Sequence, residues 1–282
     1  MPPLSVVPEP RRRRIPPLRS GVYILPNLFT TGGLVAGFYS IICTHVGGIQ
    51  VAAGGTGALR YQMAAKMILL AQVCDMLDGR IARLTRATSS FGVQYDSMAD
   101  LIAFGVAPGF LVYTWALTPW GRWGWLAATM YVACAALRLA RFNVQIGTVE
   151  KRHFLGLPSP AAADVIATTV LLFYYLFGDE STPSKQVLML LVIFGVAALM
   201  VSEIRYFSFK EIHFHRRHPF PVLLGAIGLA LLTIGEPQVM LFLGLTGFAL
   251  SGPVVWVLRQ LAKRRRRAGG GTSSAPPADV SA

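Results

Sequence analysis

Asp75, Asp78, Asp96 and Asp100 fall within a single stretch of 26 residues, 75–100, in a chain that is 54% hydrophobic and only 14% charged. A carboxylate among membrane-like apolar residues is costly, and its presence points to function. At ~100° of turn per residue, Asp75, Asp78, Gly79, Ala82 and Arg83 share one helical face. That face carries two carboxylates, two nearly absent side chains and a guanidinium. Gly92, Asp96 and Asp100, spaced by four, form a stripe on the next helix. Two helices joined by a short connection lie antiparallel, which brings the four carboxylates to one place, where unpaired they would repel. Divalent cations relieve the repulsion, and oxygen-only ligands select hard ions such as Mg²⁺ or Mn²⁺. Four aspartates suffice for two ions sharing bridging carboxylates, the arrangement that clamps a phosphoryl centre. Gly79 and Ala82 leave room for a ligand to approach the backbone, and Arg83 offers a fork suited to phosphate. An isolated Asp-x-x-Asp would be a solvated helix face and an isolated Gly79 a packing site, so the inference rests on the composite.

The elements that must position these residues are membrane spans. A hydrocarbon core of ~30 Å needs about 20 mostly apolar helical residues. The qualifying segments are 23–46, 60–82, 95–117, 122–144, 160–178, 186–204, 220–234 and 238–258, the last two alternatively one hairpin set partly in the headgroups. Helices satisfy their own backbone hydrogen bonds in lipid, so the expected fold is an all-α, polytopic bundle of about eight spans. All but four of the 26 lysines and arginines, namely Arg60, Lys66, Arg122 and Lys185, fall in the N-terminal arm, alternate connections and the C-terminus. The positive-inside rule then puts both termini in the cytoplasm, which requires an even number of spans. The run that begins near Tyr23 is followed by no small-residue cleavage site and reads as an uncleaved first span.

The expected organisation is a basic, Pro-rich arm (1–20), a core (21–205), a C-terminal membrane hairpin (206–260) and a basic then disordered tail (261–282). A net charge of +13 could suggest nucleic-acid binding. The basic residues sit in short clusters between apolar runs, and no segment has the polarity to form a basic face on a soluble fold, so nucleic acid is excluded as a partner. Cys43, Cys74 and Cys134 match neither a zinc site nor a disulfide framework.

The composite Asp75-x2-Asp78-Gly79-x2-Ala82-Arg83-x8-Gly92-x3-Asp96-x3-Asp100 resembles, at every position, the signature of the CDP-alcohol phosphatidyltransferase family. The resemblance extends over roughly residues 20–205 and implies a six-helix catalytic core. It implies that Asp75, Asp78, Asp96 and Asp100 hold two divalent cations, Mg²⁺ or Mn²⁺, and that Asp100 also deprotonates the acceptor hydroxyl. Gly79, Ala82, Arg83, Ser89 and Gly92 are expected to contact CDP-diacylglycerol, with Asn27 and Thr30 near the nucleotide. A homodimer in a bacterial cytoplasmic membrane, its site open to the cytoplasm, is the implied setting.

Four further stretches, ILPNLFTTGG (24–33), RLARFN (138–143), GLPSPAAA (156–163) and MVSEIRYFSFK (200–210), resemble the serine-using branch of that family. The expected reaction is therefore CDP-diacylglycerol plus L-serine giving phosphatidylserine plus CMP. Serine needs a cation for its carboxylate and an anion for its ammonium. Arg138 and Arg141 are candidates for the former, beside Lys151 and Arg152, which equally suit positive-inside charges at a helix end. No residue singles itself out for the ammonium. His153, His213, His215 and His218 read as a wet loop rather than a metal site. Glycerol phosphate, inositol phosphate or choline remain alternative acceptors, because the signature is blind to the acceptor. An ion or proton transporter would place its site near the midplane on broken helices, with inverted repeats, and neither feature is present in the sequence.

Overall fold

The computed structural model describes residues 24–85, 89–145, 154–178, 183–206, 228 and 230–269. These residues form a helical bundle, with one two-residue antiparallel strand pair at its edge. α1 (Ile24–Ala52) lies along α2 (Ala58–Thr85). α3 (Ser90–Asp100) continues without a break through a π-turn (Leu101–Val106), α4 (Ala107–Val112), a second π-turn (Tyr113–Leu117) and a 3₁₀ turn (Thr118–Trp120). α5 (Arg122–Gln145), β1 (Phe154–Leu155), α6 (Ser159–Phe177), α7 (Pro183–Val201), β2 (Arg205–Tyr206) and α8 (Pro237–Gly269) follow. Five of these helical stretches are long and apolar enough to cross a membrane: Leu25–Ala52, Phe91–Trp120, Arg122–Val144, Ser159–Phe177 and Pro237–Ala262. Lys185–Val201 is a shorter apolar helix. The protein is a multi-pass membrane protein.

Small residues set the spacing of the bundle, as expected where close backbone approach drives helix association in lipid. A Cβ added to Gly37 would lie 2.7 Å from the Cα of Ala103, so α1 touches the π-turn directly after Asp100. Gly105 and Gly109 present a small-residue face to Ala135, Val132 and Ala128 of α5. α6 is central: Ala161 to Leu171 are all buried. Its start is held by Gly156, whose φ of +78° and contact with the Met200 carbonyl admit no side chain. Gly156 N donates to Ile204 O and Leu157 N to Leu199 O, both at 2.9 Å, tying α6 to the end of α7.

The third span differs from the regular helix expected over 95–117. Pro108 has no N–H to donate to the carbonyl of Phe104 four residues back. That carbonyl instead accepts the buried Tyr131 hydroxyl of α5 at 2.9 Å. π-turns of this kind occur often at functional sites, and this one begins immediately after Asp100. Two other boundaries also move. α1 runs to Ala52, past the expected 46, because Gly47 to Ala52 can stay helical outside the apolar window. The basic stretch from 261 to Gly269 continues α8, since lysine and arginine are good helix formers. The arm 1–20 and the tail from 270 lie outside the described residues, as do Lys151, Arg152, His153, His213, His215 and His218. Of segment 220–234, residues 228 and 230–234 are described, and these are helical.

Candidate functional site

α2 and α3 pass each other at their charged ends, and α1 closes the third side. Asp75, Asp78 and Asp96 each place a carboxylate oxygen within 4.8 Å of the others. Asp78 is 6% exposed, and its Oδ2 accepts the hydroxyl of Thr30, also 6% exposed, at 2.9 Å. Thr30 Oγ1 additionally lies 3.2 Å from Pro26 O, so α1 orients this carboxylate. Among the described residues no lysine or arginine forms an ion pair with the three aspartates. Three carboxylates so close, without a protein cation, need an outside positive charge. An all-oxygen donor set fits a hard divalent ion, so the cluster could hold one.

Asp100 is outside that triangle but lines the same inner cavity, together with Asp75, Asp78, Asp96, Gly33 and Phe104. It interacts electrostatically with Arg138 of α5. A second cleft opens beside the cavity, and the two share Thr30, Asp78 and Asp96. Its walls include Asn27 and Thr30 from α1, Gly79 and Ala82 from α2, and Ser89, Gly92 and Val93 at the start of α3. Six of the seven residues expected to meet the donor therefore border one cleft, adjoining the acidic cluster.

The seventh, Arg83, is exposed at the rim. Its Nε donates to Gly79 O at 2.9 Å, and its Nη2 would lie 3.7 Å from a Cβ placed on Gly79. Ser89 is the N-cap of α3: it is extended at φ −117° and ψ 153°, and its Oγ accepts from Gly92 N at 2.9 Å. A side chain at Gly92 would press on Ser89 Oγ at 3.1 Å and Asn27 Oδ1 at 3.4 Å. Glycine there keeps the cap and the α1 wall together.

Arg138 Nη1 lies 3.5 Å from Ser159 Oγ, and its Nε is buried without a hydrogen-bond partner among the described residues. Arg141 Nη1 donates to Val201 O at 3.3 Å and so ties α5 to the end of α7. Of the two arginines expected to face the acceptor, Arg138 is the one that interacts with Asp100. Asn143 and Ser97 bond reciprocally, Asn143 Nδ2 to Ser97 Oγ at 2.9 Å and Ser97 Oγ to Asn143 Oδ1 at 3.2 Å, which joins α5 to the aspartate-bearing helix. Residues from 138–143, 156–163 and 200–210, far apart in sequence, thus meet at one edge of the site.

Sequence reasoning passed over three residues here. Ser97 and Asn143 are unremarkable polar residues until the helices are docked. Asp164 on α6 is 4% exposed, and its charge interacts with that of Asp75. Its signal was available, since it is a carboxylate inside an apolar segment, but no second acidic residue at helical spacing drew attention to it.

A profile of the CDP-alcohol phosphatidyltransferase family matches residues 23–201. The chain is 35% identical over 237 residues to the CDP-diacylglycerol–serine O-phosphatidyltransferase of Helicobacter pylori, covering 84% of this chain and 92% of that one. It is 34% identical over 242 residues to the enzyme of the same name from Mycobacterium leprae, covering 83% and 71%. It is also 34% identical over 184 residues to the archaetidylserine synthase of Methanothermobacter thermautotrophicus, covering 64% and 69%.

Proposed function

Because this chain belongs to the CDP-alcohol phosphatidyltransferase family, we propose that it transfers the phosphatidyl group of CDP-diacylglycerol to L-serine, forming phosphatidylserine and releasing CMP. The observation that carries the transfer chemistry is the triangle of Asp75, Asp78 and Asp96 opening onto the cleft lined by Gly79, Ala82 and Gly92. Serine as acceptor is supported by the names of the relatives from H. pylori and M. leprae. The contact of Arg138 with Ser159, and its charge interaction with Asp100, support it independently.

In this reading the diphosphate of the donor enters over Gly79 and Ala82, where no side chain obstructs it. Arg83 at the rim and the Ser89-capped start of α3 face its oxygens, and Asn27 borders the nucleotide. Asp75, Asp78 and Asp96 would hold divalent cations, two ions if Asp100 also contributes an oxygen, with Mg²⁺ or Mn²⁺ the ions suited to the donor set. When bound, they supply Lewis-acid neutralisation of the diphosphate and of the departing phosphate. Asp100 takes the proton of the serine hydroxyl, which near neutral pH is a poor nucleophile without a positioned base. The serine oxygen forms a bond to the phosphorus that carries diacylglycerol. The bond from that phosphorus to the CMP oxygen breaks, and CMP leaves with the electron pair. Arg138 holds the serine carboxylate and so aims the hydroxyl at Asp100.

In this reading residues 21–205 form the catalytic unit; of the membrane hairpin expected over 206–260, residues 206, 228 and 230–260 are described. The distribution of lysine and arginine supports eight spans with both termini and the site on the cytoplasmic side of a bacterial membrane. A homodimer is the expected assembly. The test is CMP release by the purified protein with CDP-diacylglycerol and Mn²⁺ or Mg²⁺, comparing serine, glycerol phosphate, inositol phosphate and choline. Serine should support turnover and the others little. Brisk turnover with a phosphorylated acceptor and none with serine would overturn the acceptor assignment while leaving the donor site in place.

A further inference from the structure

Asp96 is flanked on α3 by two residues that reach neighbouring helices. The Tyr95 hydroxyl stands 2.9 Å from Thr31 Oγ1 of α1. Thr31 has one hydroxyl proton, which goes to Asn27 O at 2.7 Å, so in this bridge Tyr95 donates and Thr31 accepts. On the other side, Asn143 Nδ2 of α5 donates to Ser97 Oγ at 2.9 Å. Ser97 can then give its own proton to Val93 O, one turn back at 3.0 Å. The Tyr95 ring is itself set by a stack on Phe91, with centroids 6.0 Å apart and planes at 7°.

At ~100° per residue, Tyr95 and Ser97 point ~200° apart around α3, and Asp96 bisects them. Asp96 faces α2, where its carboxylate meets those of Asp75 and Asp78 within 4.8 Å. The backbone of α3 packs closely along α1 but has no comparable packing on α2 or α5 among the described residues. Side-chain bonds must therefore help to set how far α3 is turned about its own axis. A carboxylate ~5 Å from that axis moves ~1.7 Å for a turn of about 20°, whereas metal–ligand distances tolerate about ±0.2 Å.

We propose that Tyr95 and Ser97 form a rotational clamp on α3: anchored by Thr31 and Asn143, they aim Asp96 at the acidic cluster and so set its affinity for a divalent cation. They are positioning residues that act through Asp96. This rests on the reading of the cluster as a cation site and is independent of the choice of acceptor.

The test reads Mn²⁺ binding directly, by loss of the free-ion EPR signal, on the full-length protein in detergent without donor or acceptor. Tyr95→Phe, which keeps the ring and its stack, should raise the Mn²⁺ Kd by about 2- to 12-fold, the range for one net hydrogen bond. Thr31→Val deletes the same bond from α1, so the double variant should be no weaker than the worse of the two singles. Ser97→Ala should weaken Mn²⁺ binding by a similar factor, while Ser97→Thr, which keeps the hydroxyl, should stay within about twofold of wild type. The separate variants keep the test readable if one of them does not fold. A purely structural role would lower Tm and leave the Mn²⁺ Kd of the folded variants unchanged, and that result would overturn the proposal. So would a Ser97→Thr variant as weak as Ser97→Ala, or unchanged Mn²⁺ affinity with weakened CDP-diacylglycerol binding, since α3 would then be held for the donor wall. Wild type that binds no Mn²⁺ refutes the cation reading itself, and is told apart from failure of the clamp, in which wild type and variants bind alike.

Discussion

Replacing Thr30 by valine asks whether α1 serves the donor directly or serves the acidic cluster. The substitution exchanges a buried hydroxyl for a methyl of similar volume, so it opens no cavity and leaves the helix backbone unchanged. It deletes the 2.9 Å hydrogen bond to Asp78 Oδ2 and the 3.2 Å contact with Pro26 O. The second costs little, because Pro26 O can still accept the helical N–H of residue 30. The first is a bond to a charged group, which contributes ~1.5–3 kcal/mol, or roughly 10- to 150-fold at 1.4 kcal/mol per decade. Asp78 is 6% exposed, so water cannot readily replace the lost donor. The freed carboxylate will rotate away from Asp75 and Asp96 and weaken the hold of the cluster on the proposed ion. Titrating Mn²⁺ against the rate of CMP release should show the half-saturating concentration raised within that range, with kcat recovering toward wild type at high Mn²⁺. A variant with an unchanged metal requirement and a raised KM for CDP-diacylglycerol would refute this reasoning and make Thr30 a donor contact, as the sequence alone suggests.

Asp96→Asn is expected to abolish turnover by opening the carboxylate triangle. Asp100→Asn should bind donor nearly as well as wild type yet react about 10²- to 10⁴-fold more slowly, a split that single-turnover kinetics with a donor-binding assay will resolve. Gly79→Val should lower donor affinity without unfolding the protein, because an added Cβ meets only Arg83 Nη2 at 3.7 Å and the remaining atoms project into the cleft; Gly79→Ala should be mild by the same geometry. Arg138→Gln should raise the serine KM more than the donor KM, whereas Arg141→Gln should chiefly lower thermal stability by releasing Val201 O, measured as Tm in detergent.

The positions of the helices could be read from the chain because the bilayer imposes a length on every apolar run. Their ends could not, since neither glycine-rich nor arginine-rich sequence is bound to stop a helix, and α1 and α8 both overrun the apolar windows. The π-turn after Asp100 was hidden for a related reason. Pro108 announces a missing donor, but only the docked Tyr131 shows how the Phe104 carbonyl is satisfied.

Along the chain itself, the proposed donor site was nearly complete. Asp75, Asp78, Gly79, Ala82, Arg83, Gly92, Asp96 and Asp100 belong to two consecutive helices, and side-chain type at a spacing of three or four residues decides which of them share a face. That information is local, so it survives without a structure. The proposed acceptor wall is not local. Arg138 comes from α5, Ser159 from α6 and Asp100 from α3, and no periodicity within one helix relates them. Their relation was decided by how closely the small faces around Gly37, Gly105 and Gly109 let the helices approach. The same packing left Asp164 Oδ1 and Arg138 Nε buried without hydrogen-bond partners among the described residues, and an unsatisfied group exists only once its surroundings are in place.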